Sequence, residues 1–510
     1  MQVMAGYAGD KGWLLLAARM WVLDGRQMDV DFVEVNPPLI IWFYGLPVWL
    51  AKHIGGLADY QLLGIIGLVG SALSSFASAR LIAHHPAFAD NARAQRCFMF
   101  ALFCMFVLLS TAIYFFDRDH VFYVLTFPYM LRFMPSLARQ RLGLGLRVAV
   151  GLLGGLGFCM KPYTVVFFLA LQLLVILREK SAAILWSIEN ALIYASGAFY
   201  LLCVWCFAHE YIAWIMPMAA QTYWAFSRRE MAPFYAVLAF IMAGVVFVDF
   251  RFRDESPYRR DIPYFIGVAA GYFAYALAAN GWGYSFHPLL CTLLFITVWL
   301  WLHQGWMLRE QSEQDLPVKR FVFGRRACAL SLGLNVVYMA YCIGGFFMTP
   351  TCEWYGECKK NLPYADYLSK HNFHSFGALS EDFHKWSALA FFTDASFDTR
   401  YNALWMVPAM VIKGEEYTRE HQWILDYAGK GLARDLNVRR PPVVFVDDPK
   451  RFFGTTHDVS LATFFEQVPE FKEAWSHYRF ASTIDRCEQE RRGKHARATG
   501  CRYDLYERIP

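Results

Sequence analysis

The sequence predicts a polytopic α-helical membrane protein with a soluble α/β domain at its carboxyl end. Of its 510 residues, 57% are hydrophobic and only 18% are charged, and the mean hydropathy is +0.28. A soluble domain carries about 25% charged residues. The apolar residues form continuous blocks, and several blocks reach the roughly 20 residues that cross about 30 Å of hydrocarbon.

Three regions follow from these blocks. Residues 1–60 form a partly amphipathic segment, residues 61–348 a bundle of about ten spans, and residues 349–510 the soluble domain. The clear spans are residues 61–83, 97–116, 184–208, 231–250, 262–279, 287–306 and 327–348. Three more, residues 120–134, 144–160 and 162–177, are short or contain Gly and Pro, which packed neighbours accommodate in membrane helices.

The two ends of the chain carry different signals. Residues 12–23 predict a short helix with Arg19 on one face, without the pattern of a cleavable signal peptide. We expect that the bundle translocates this segment unaided or that a first membrane helix precedes it, and we favour the second. Near the carboxyl end, residues 443–446 predict a buried strand that ends in a turn.

Basic residues orient the bundle. With residues 61–83 running inward, the inner loops hold sixteen Arg and Lys residues and the outer loops between spans hold four. Because basic loops stay on the cytoplasmic side, this bias predicts a multi-pass plasma-membrane (inner-membrane) protein with an extracytoplasmic carboxyl-terminal domain. The alternative is the inverted topology, which would require this distribution of basic residues to have arisen by chance.

The cysteines agree with an exported domain. Eight of the twelve lie in or beside apolar blocks, and Cys352, Cys358, Cys487 and Cys501 lie in the polar carboxyl-terminal region. An even number of cysteines in an exported segment predicts disulfides, with Cys352–Cys358 and Cys487–Cys501 as one of three pairings. Free thiols are the alternative.

Polar side chains collect in the predicted outer loops, whereas the inner loops are basic connectors. The outer set is Asp10, Asp29, Asp31, Glu34, Asn36, Asp117, Arg118, Asp119, His120, Lys161, Trp282, Tyr284 and His287. Carboxylates beside cations on one membrane face suit a reaction that needs a base and an anionic leaving group. The sequence has no P-loop, dinucleotide-binding or zinc-protease motif, and nothing in it supports nucleic-acid binding.

One segment carries a family resemblance. Residues 10–42 read DKGWLLLAARMWVLDGRQMDVDFVEVNPPLIIW. This segment resembles the first outer loop of the glycosyltransferase C superfamily, above all its lipid A aminoarabinose transferase and protein O-mannosyltransferase branches. The matching features are Asp10, a helix containing Arg19 and the EVNPPL turn, followed later by RDH at residues 118–120 and KP at residues 161–162. Asn36 stands where the aminoarabinose branch usually has Lys.

The resemblance implies a fold of the glycosyltransferase C type and transfer of a sugar from a polyprenyl-phosphate donor to an envelope glycan, a lipid such as the lipid A of lipopolysaccharide, or a protein. Asp10 would be the general base. Asp119 or Asp117 would orient the acceptor or help to hold a divalent cation, the one cofactor left open. The donor phosphate would be faced by Arg19, Arg118, Lys161, His120, Tyr284 and His287, while Glu34 and Asn36 would shape the turn beside the acceptor.

Each feature also has a structural interpretation. Asp10 could cap a helix, residues 117–120 could form a polar loop, and Lys161 could extend to lipid headgroups. Glu189, inside a span, is predicted to serve packing or lipid gating rather than catalysis, and His84 and His85 to lie in a solvated inner loop. The rival function is a lipid-linked sugar flippase or transporter. Such proteins need ionisable groups near the membrane midplane, and this sequence has few.

Overall fold

The computed structural model describes residues 9–108, 115–138, 140–226, 261–279, 281–296, 298–299, 363–381, 385–447, 460–485 and 502–509, together with residues 233 and 236. The predicted spans 231–250 and 327–348, the proposed domain boundary at residue 349 and the four carboxyl-terminal cysteines therefore lie outside the described residues or almost entirely so. Six cysteines within the described part are free thiols: Cys97, Cys104, Cys159, Cys203, Cys206 and Cys291.

Helices make up most of the described chain. In the amino-terminal two-thirds these are α1 (Gly9–Val22), α2 (Leu39–Ile54), α3 (Asp59–Ile82), α4 (Ala92–Leu108), α5 (Arg118–Arg132), α6 (Pro135–Ala138), α7 (Leu144–Phe158), α8 (Thr164–Glu179), α9 (Ile188–Phe207), α10 (Met216–Thr222) and α11 (Ile262–Ala278). Short 3₁₀ turns cover Ala183–Trp186, Tyr223–Phe226 and Gly283–Phe286, and a π-helical turn covers Tyr211–Ile215.

The carboxyl-terminal region is an α/β domain. Its helices are α12 (Lys385–Thr393), α13 (Val407–Glu420), α14 (Gln422–Val438), α15 (Leu461–Phe465) and α16 (Pro469–Trp475). Its strands are β1 (Ser375–Leu379), β2 (Ser396–Phe397), β3 (Val443–Asp447), β4 (Tyr478–Asp485) and β5 (Arg502–Arg508), in the order β2-β1-β3-β5-β4. β1 is parallel to β2 and β3, whereas β5 is antiparallel to both of its neighbours. The buried strand predicted at residues 443–446 is confirmed.

Two of the described helices are long and apolar enough to cross a membrane. They are α3, with 24 residues, and α9, with 20. Leu39–Ile54, Leu144–Phe158, Ile262–Ala278 and Tyr284–Ile296 are shorter apolar helices. α9 turns Phe199, Trp205 and Phe207 outward, each at least 60% exposed, as a lipid-facing surface requires. The helical bundle is thus present, while the number of about ten spans stays a prediction.

α5 is the central helix of the bundle, and every one of its fifteen residues is buried. It packs between α3 and α7. The glycines of α7 permit close packing on two sides, because a Cβ atom at Gly157 would lie 2.7 Å from Thr126 Cγ2 of α5 and one at Gly151 would lie 2.8 Å from Leu192 of α9. Small residues let membrane helices come this close.

The amino-terminal segment joins the bundle to the α/β domain. α1 is buried on nearly all sides between α2 and α12, so it is less amphipathic than the sequence predicts. After α1, Arg26 donates to the carbonyl oxygen of Phe397 (2.8 Å), and the Val33 amide donates to the carbonyl oxygen of Arg400 (2.8 Å). These contacts hold the α/β domain against the segment that follows α1.

Candidate active site

Four polar residues begin α5 inside the protein. Asp117, Arg118, Asp119 and His120 are each at most 3% exposed. Asp117 is the N-cap, and its side chain accepts a hydrogen bond from the Arg118 amide (2.6 Å). Aspartate is among the preferred N-cap residues because it satisfies an unpaired amide of the first turn. The sequence thus starts α5 with charged residues that lie against the first turn of α1.

Arg118 connects this helix end to α1. Its Nη2 lies 2.5 Å from Asp10 Oδ2, and its Nε lies 3.4 Å from Asp117 Oδ1. Burial raises the pKa of Asp117, and the Arg118 guanidinium opposes that rise. The Asp10 side chain is 29% exposed, whereas those of Arg118 and Asp117 are 3% and 4% exposed. Asp10 is therefore the carboxylate of this group that a bound molecule can reach.

Lys161 and Asp119 form a second ion pair. Lys161 Nζ lies 2.5 Å from Asp119 Oδ2, and the Tyr275 hydroxyl donates to Asp119 Oδ1 (2.5 Å). Nζ also lies 4.9 Å from the centre of the Tyr284 ring. Burial lowers the pKa of Lys161, and the Asp119 carboxylate opposes that change. The ammonium group is therefore held between an anion and an aromatic face.

Glu34 organises the EVNPPL turn. It is 3% exposed, and its Oε2 accepts from Trp13 Nε1 (2.5 Å). Its Oε1 accepts from both nitrogens of Asn36, the backbone amide (2.8 Å) and the side-chain Nδ2. Burial raises the pKa of Glu34, and Arg118 lowers it. Because both oxygens are engaged, Glu34 positions Trp13 and Asn36.

Two cavities flank these ion pairs, and they share a wall. The first is lined by Asp10, Trp13, Leu14, Val33, Glu34, Val35, Asn36, Tyr223, Trp282, Tyr284, Asn402, Ala403 and Trp405. The second is lined by Val35, Asn36, Pro37, Lys161, Pro162, Tyr163, Tyr211, Met216, Ala219, Ala220, Tyr223, Ala279, Trp282 and Tyr284. One cavity thus presents carboxylates and the other a lysine, with Asn36 and Tyr284 between them.

The predicted site residues divide into three groups. Asp10, Glu34, Asn36, Lys161 and Tyr284 line the cavities. Arg118 and Asp119 contact them directly, and Asp117 supports Arg118. Arg19, His120 and His287 line neither cavity, so the structure separates them from the group that we expected them to join.

The contacts of Arg19, His120 and His287 explain why these residues line neither cavity. Arg19 pairs with Asp59 (2.6 Å) and lies 4.5 Å from the centre of the Phe391 ring. His120 Nδ1 accepts from the Phe116 amide (3.1 Å), and its Nε2 lies 2.7 Å from the carbonyl oxygen of Phe106. Both ring nitrogens of His120 therefore contact backbone groups, and its predicted phosphate-binding role stays a prediction.

His287 lies behind the site. Its ring centre is 5.8 Å from that of His120, and its Nε2 lies 3.4 Å from the Cys291 sulfur. Among the described residues, no group of three or more His, Cys, Asp and Glu side chains is arranged to hold a metal ion. Asp119 and Asp117 instead face Lys161 and Arg118.

Sequence reasoning missed several residues of the site. Trp13 lies one helical turn after Asp10, so helical spacing could have indicated it. Tyr275 lies in an apolar helix, and nothing in the local sequence indicated that it belongs to the site. Asn402 and Trp405 come from the α/β domain and reach the first cavity through contacts far apart in the chain.

The fold and the site together define a helical bundle whose buried charges separate two cavities beneath an α/β domain. The chain is similar to the crystal structure of ArnT from Cupriavidus metallidurans in the apo state, with 13% identity, a TM-score of 0.47, and coverage of 77% of this chain and 81% of that one. It is also similar to the crystal structure of ArnT from the same organism bound to undecaprenyl phosphate, with 14% identity and a TM-score of 0.47. That match covers 81% of this chain and 85% of the other. No protein-family model and no curated protein matches the sequence.

ArnT is an aminoarabinose transferase of the glycosyltransferase C superfamily. At this identity the structural likeness describes the chain path alone. It assigns no donor and no acceptor to this protein.

Proposed function

We propose that the protein is a membrane glycosyltransferase that moves a sugar from a polyprenyl-phosphate donor to an acceptor at the extracytoplasmic face of the plasma membrane. The observation that carries this proposal is the pair of cavities on either side of the Asp10–Arg118 and Lys161–Asp119 ion pairs. One cavity offers a reachable base, and the other offers a cation.

The first cavity suits the acceptor. A displacement at the anomeric carbon needs a base that takes the proton of the attacking hydroxyl. Asp10 fits this role because its side chain is 29% exposed and lines the cavity. The hydroxyl oxygen bonds to the anomeric carbon while its proton passes to Asp10. The bond between that carbon and the phosphate oxygen breaks, and the polyprenyl phosphate leaves.

The second cavity suits the donor. Its lining combines the Lys161 ammonium with apolar side chains such as Pro37, Pro162 and Met216. The lysine would bind the phosphate and stabilise the charge that develops as the bond breaks. The apolar lining would hold the first units of the lipid tail. Since nucleotide sugars are confined to the cytoplasm, a transferase on the other face needs a membrane-soluble donor of this kind.

The distribution of charge favours an enzyme over a flippase or transporter. Arg118 and Asp119 lie in the first turn of α5 and Arg132 in its last, with no Lys, Arg, Asp or Glu between them. A transport path needs ionisable groups near the midplane. The central helix offers none there, because its charges lie only in its first and last turns.

The test is mass spectrometry of the cell-envelope glycans from a deletion strain and from strains that express single variants. We expect the deletion to remove one sugar from one envelope component, and Asp10→Asn to reproduce that loss. Asp24→Asn, a change at a carboxylate whose side chain is 53% exposed on the same segment, is the matched control and should restore the sugar. Full restoration by Asp10→Asn at normal expression would refute the catalytic role.

A further inference from the structure

The lining of the first cavity restricts the charge of the acceptor. Two carboxylates, Asp10 and Glu34, face it, and the described lining residues include no Lys or Arg. Arg118, the nearest cation in contact with that lining, is 3% exposed and already lies against Asp10 and Asp117. A phosphorylated or carboxylated acceptor group would meet anions without a free cation to offset them, and at short range this repulsion is strong.

Asn402 restricts the hydrogen-bonding character of the acceptor. It lies between β2 and α13, is 7% exposed and lines the first cavity. Its Oδ1 is buried and has no hydrogen-bond partner among the described residues. A buried carbonyl oxygen is normally satisfied, and it accepts but cannot donate. The complementary ligand group is therefore a hydroxyl or an N–H, which a phosphate group at neutral pH does not offer.

Aromatic side chains supply the rest of the cavity wall. Trp13, Tyr223, Trp282, Tyr284 and Trp405 line it. Trp282 and Tyr284 are stacked, with ring centres 5.9 Å apart and planes within 13° of each other. The face of an aromatic ring is negative, so it attracts the weakly positive C–H groups on the face of a pyranose. A sugar ring matches this wall better than an extended peptide does.

We propose that the acceptor is a neutral saccharide, held against the aromatic wall with one hydroxyl donating to Asn402 Oδ1, and that Asn402 determines this specificity. The inference rests on the proposed function, whose acceptor class it names. A neutral hydroxyl also explains the base, because the acceptor must lose a proton to Asp10 as it attacks. An anionic phosphate oxygen would need no base.

The test measures binding of stated probes to the full-length protein in nanodiscs by saturation-transfer NMR. The probes are the methyl glycosides of glucose, galactose, mannose and N-acetylglucosamine, their 6-phosphates, and a threonine-containing peptide. We expect at least one neutral glycoside to bind at least tenfold more tightly than its phosphate. Asn402→Leu should weaken that binding between about 2-fold and about 10-fold, as for loss of one hydrogen bond. Asn437→Leu, the same change at an exposed site on α14, should leave it unchanged.

Three outcomes would overturn the inference: equal or tighter binding of the phosphates, binding of the peptide alone, or no effect of Asn402→Leu. A second measurement compares the binding of undecaprenyl phosphate to the native protein and to Lys161→Met in the same nanodiscs. It distinguishes failure of the saccharide-acceptor inference from failure of the proposed function. Donor binding that depends on Lys161 without a glycoside response removes only the saccharide acceptor. A glycoside response without donor binding removes only the polyprenyl-phosphate reaction.

Discussion

The two ends of α5 each bury arginine against carboxylate, yet only one end has the features of an active site. At the far end, Glu189 is fully buried, and its two oxygens lie 2.9 Å from Arg132 Nε and Arg147 Nη2. At the near end, Arg118 and Lys161 pair with Asp10 and Asp119. Both described cavities open beside the near end, and neither is lined by Glu189 or its partners.

The neighbours of Glu189 show what a closed polar network looks like. Gln172 Nε2 donates to the Tyr129 hydroxyl (2.5 Å), and Asn190 Nδ2 donates to Gln172 Oε1 (2.8 Å). Tyr129 in turn donates to Asn190 Oδ1. Each group satisfies another group of the protein, and such networks fix the packing of helices. Buried charge alone therefore does not identify a catalytic site in this bundle; access from a cavity does.

The sharpest test of this comparison is Asp10→Asn at the near end. Asparagine keeps the shape of the side chain but cannot take a proton, so we expect the transfer rate to fall by about 10² to 10⁴-fold. The melting temperature in nanodiscs should change little, because the Asp10 side chain is partly exposed and Asp117 remains beside Arg118 as a counter-charge. A rate within tenfold of the native rate would leave Asp10 as a structural partner of Arg118.

Glu189→Gln is the corresponding change at the far end. It leaves Arg132 and Arg147 without a counter-charge, and breaking a buried ion pair costs about 3–5 kcal/mol. Because the Arg147 side chain is 26% exposed, we expect about 3 kcal/mol, the lower limit. The measurement is the thermal midpoint in nanodiscs together with the transfer rate per folded molecule. A large loss of rate without loss of stability would contradict the division between the two ends.

Local patterns predicted a substantial part of this arrangement. The charges at residues 117–119 and Lys161 interrupt apolar blocks, and the EVNPPL turn stands out by its prolines, so each was visible in the sequence. Helix α1, the strand at residues 443–446 and the packing role of Glu189 also follow from local pattern.

The remainder depends on contacts that no local pattern contains. Asn402 reaches the first cavity because residues near it pair with the amino-terminal segment, as in the Arg26–Phe397 contact across 371 positions. The interpretation of His85 as solvated is wrong for the same reason. It is fully buried and lies 3.0 Å from Asp261, 176 positions away. Charged residues precede His120 in the sequence, but both of its ring nitrogens form hydrogen bonds with backbone groups.

Glu381 extends the comparison to a buried carboxylate in the α/β domain. It is 4% exposed, and burial raises its pKa to about 9, with a further contribution from Asp447. Between the ordinary glutamate pKa and this value the folded state binds the extra proton, so the stability that Glu381 contributes falls as pH rises through that window.

Glu381→Gln mimics the protonated acid and should remove this dependence. We expect a gain on the order of 3 kcal/mol at pH 7 that grows as the pH rises toward 9, and no gain near pH 4. Thermal unfolding of the native protein and the variant across this pH range measures both. A pH dependence that persists in the variant would assign the titration to another group.

Arg19→Met is expected to have the smallest effect, and it separates the sequence-based role from the one that the structure supports. The arginine side chain is 31% exposed and pairs with Asp59 rather than lining a cavity. Partly exposed ion pairs contribute about 1 kcal/mol or less. We therefore expect a loss of stability within that limit and no change in the KM for the donor, because Lys161 is the cation that lines the cavity proposed for the donor. An increase in donor KM without a change in stability would restore Arg19 to the phosphate site and extend the functional end of the bundle along α1.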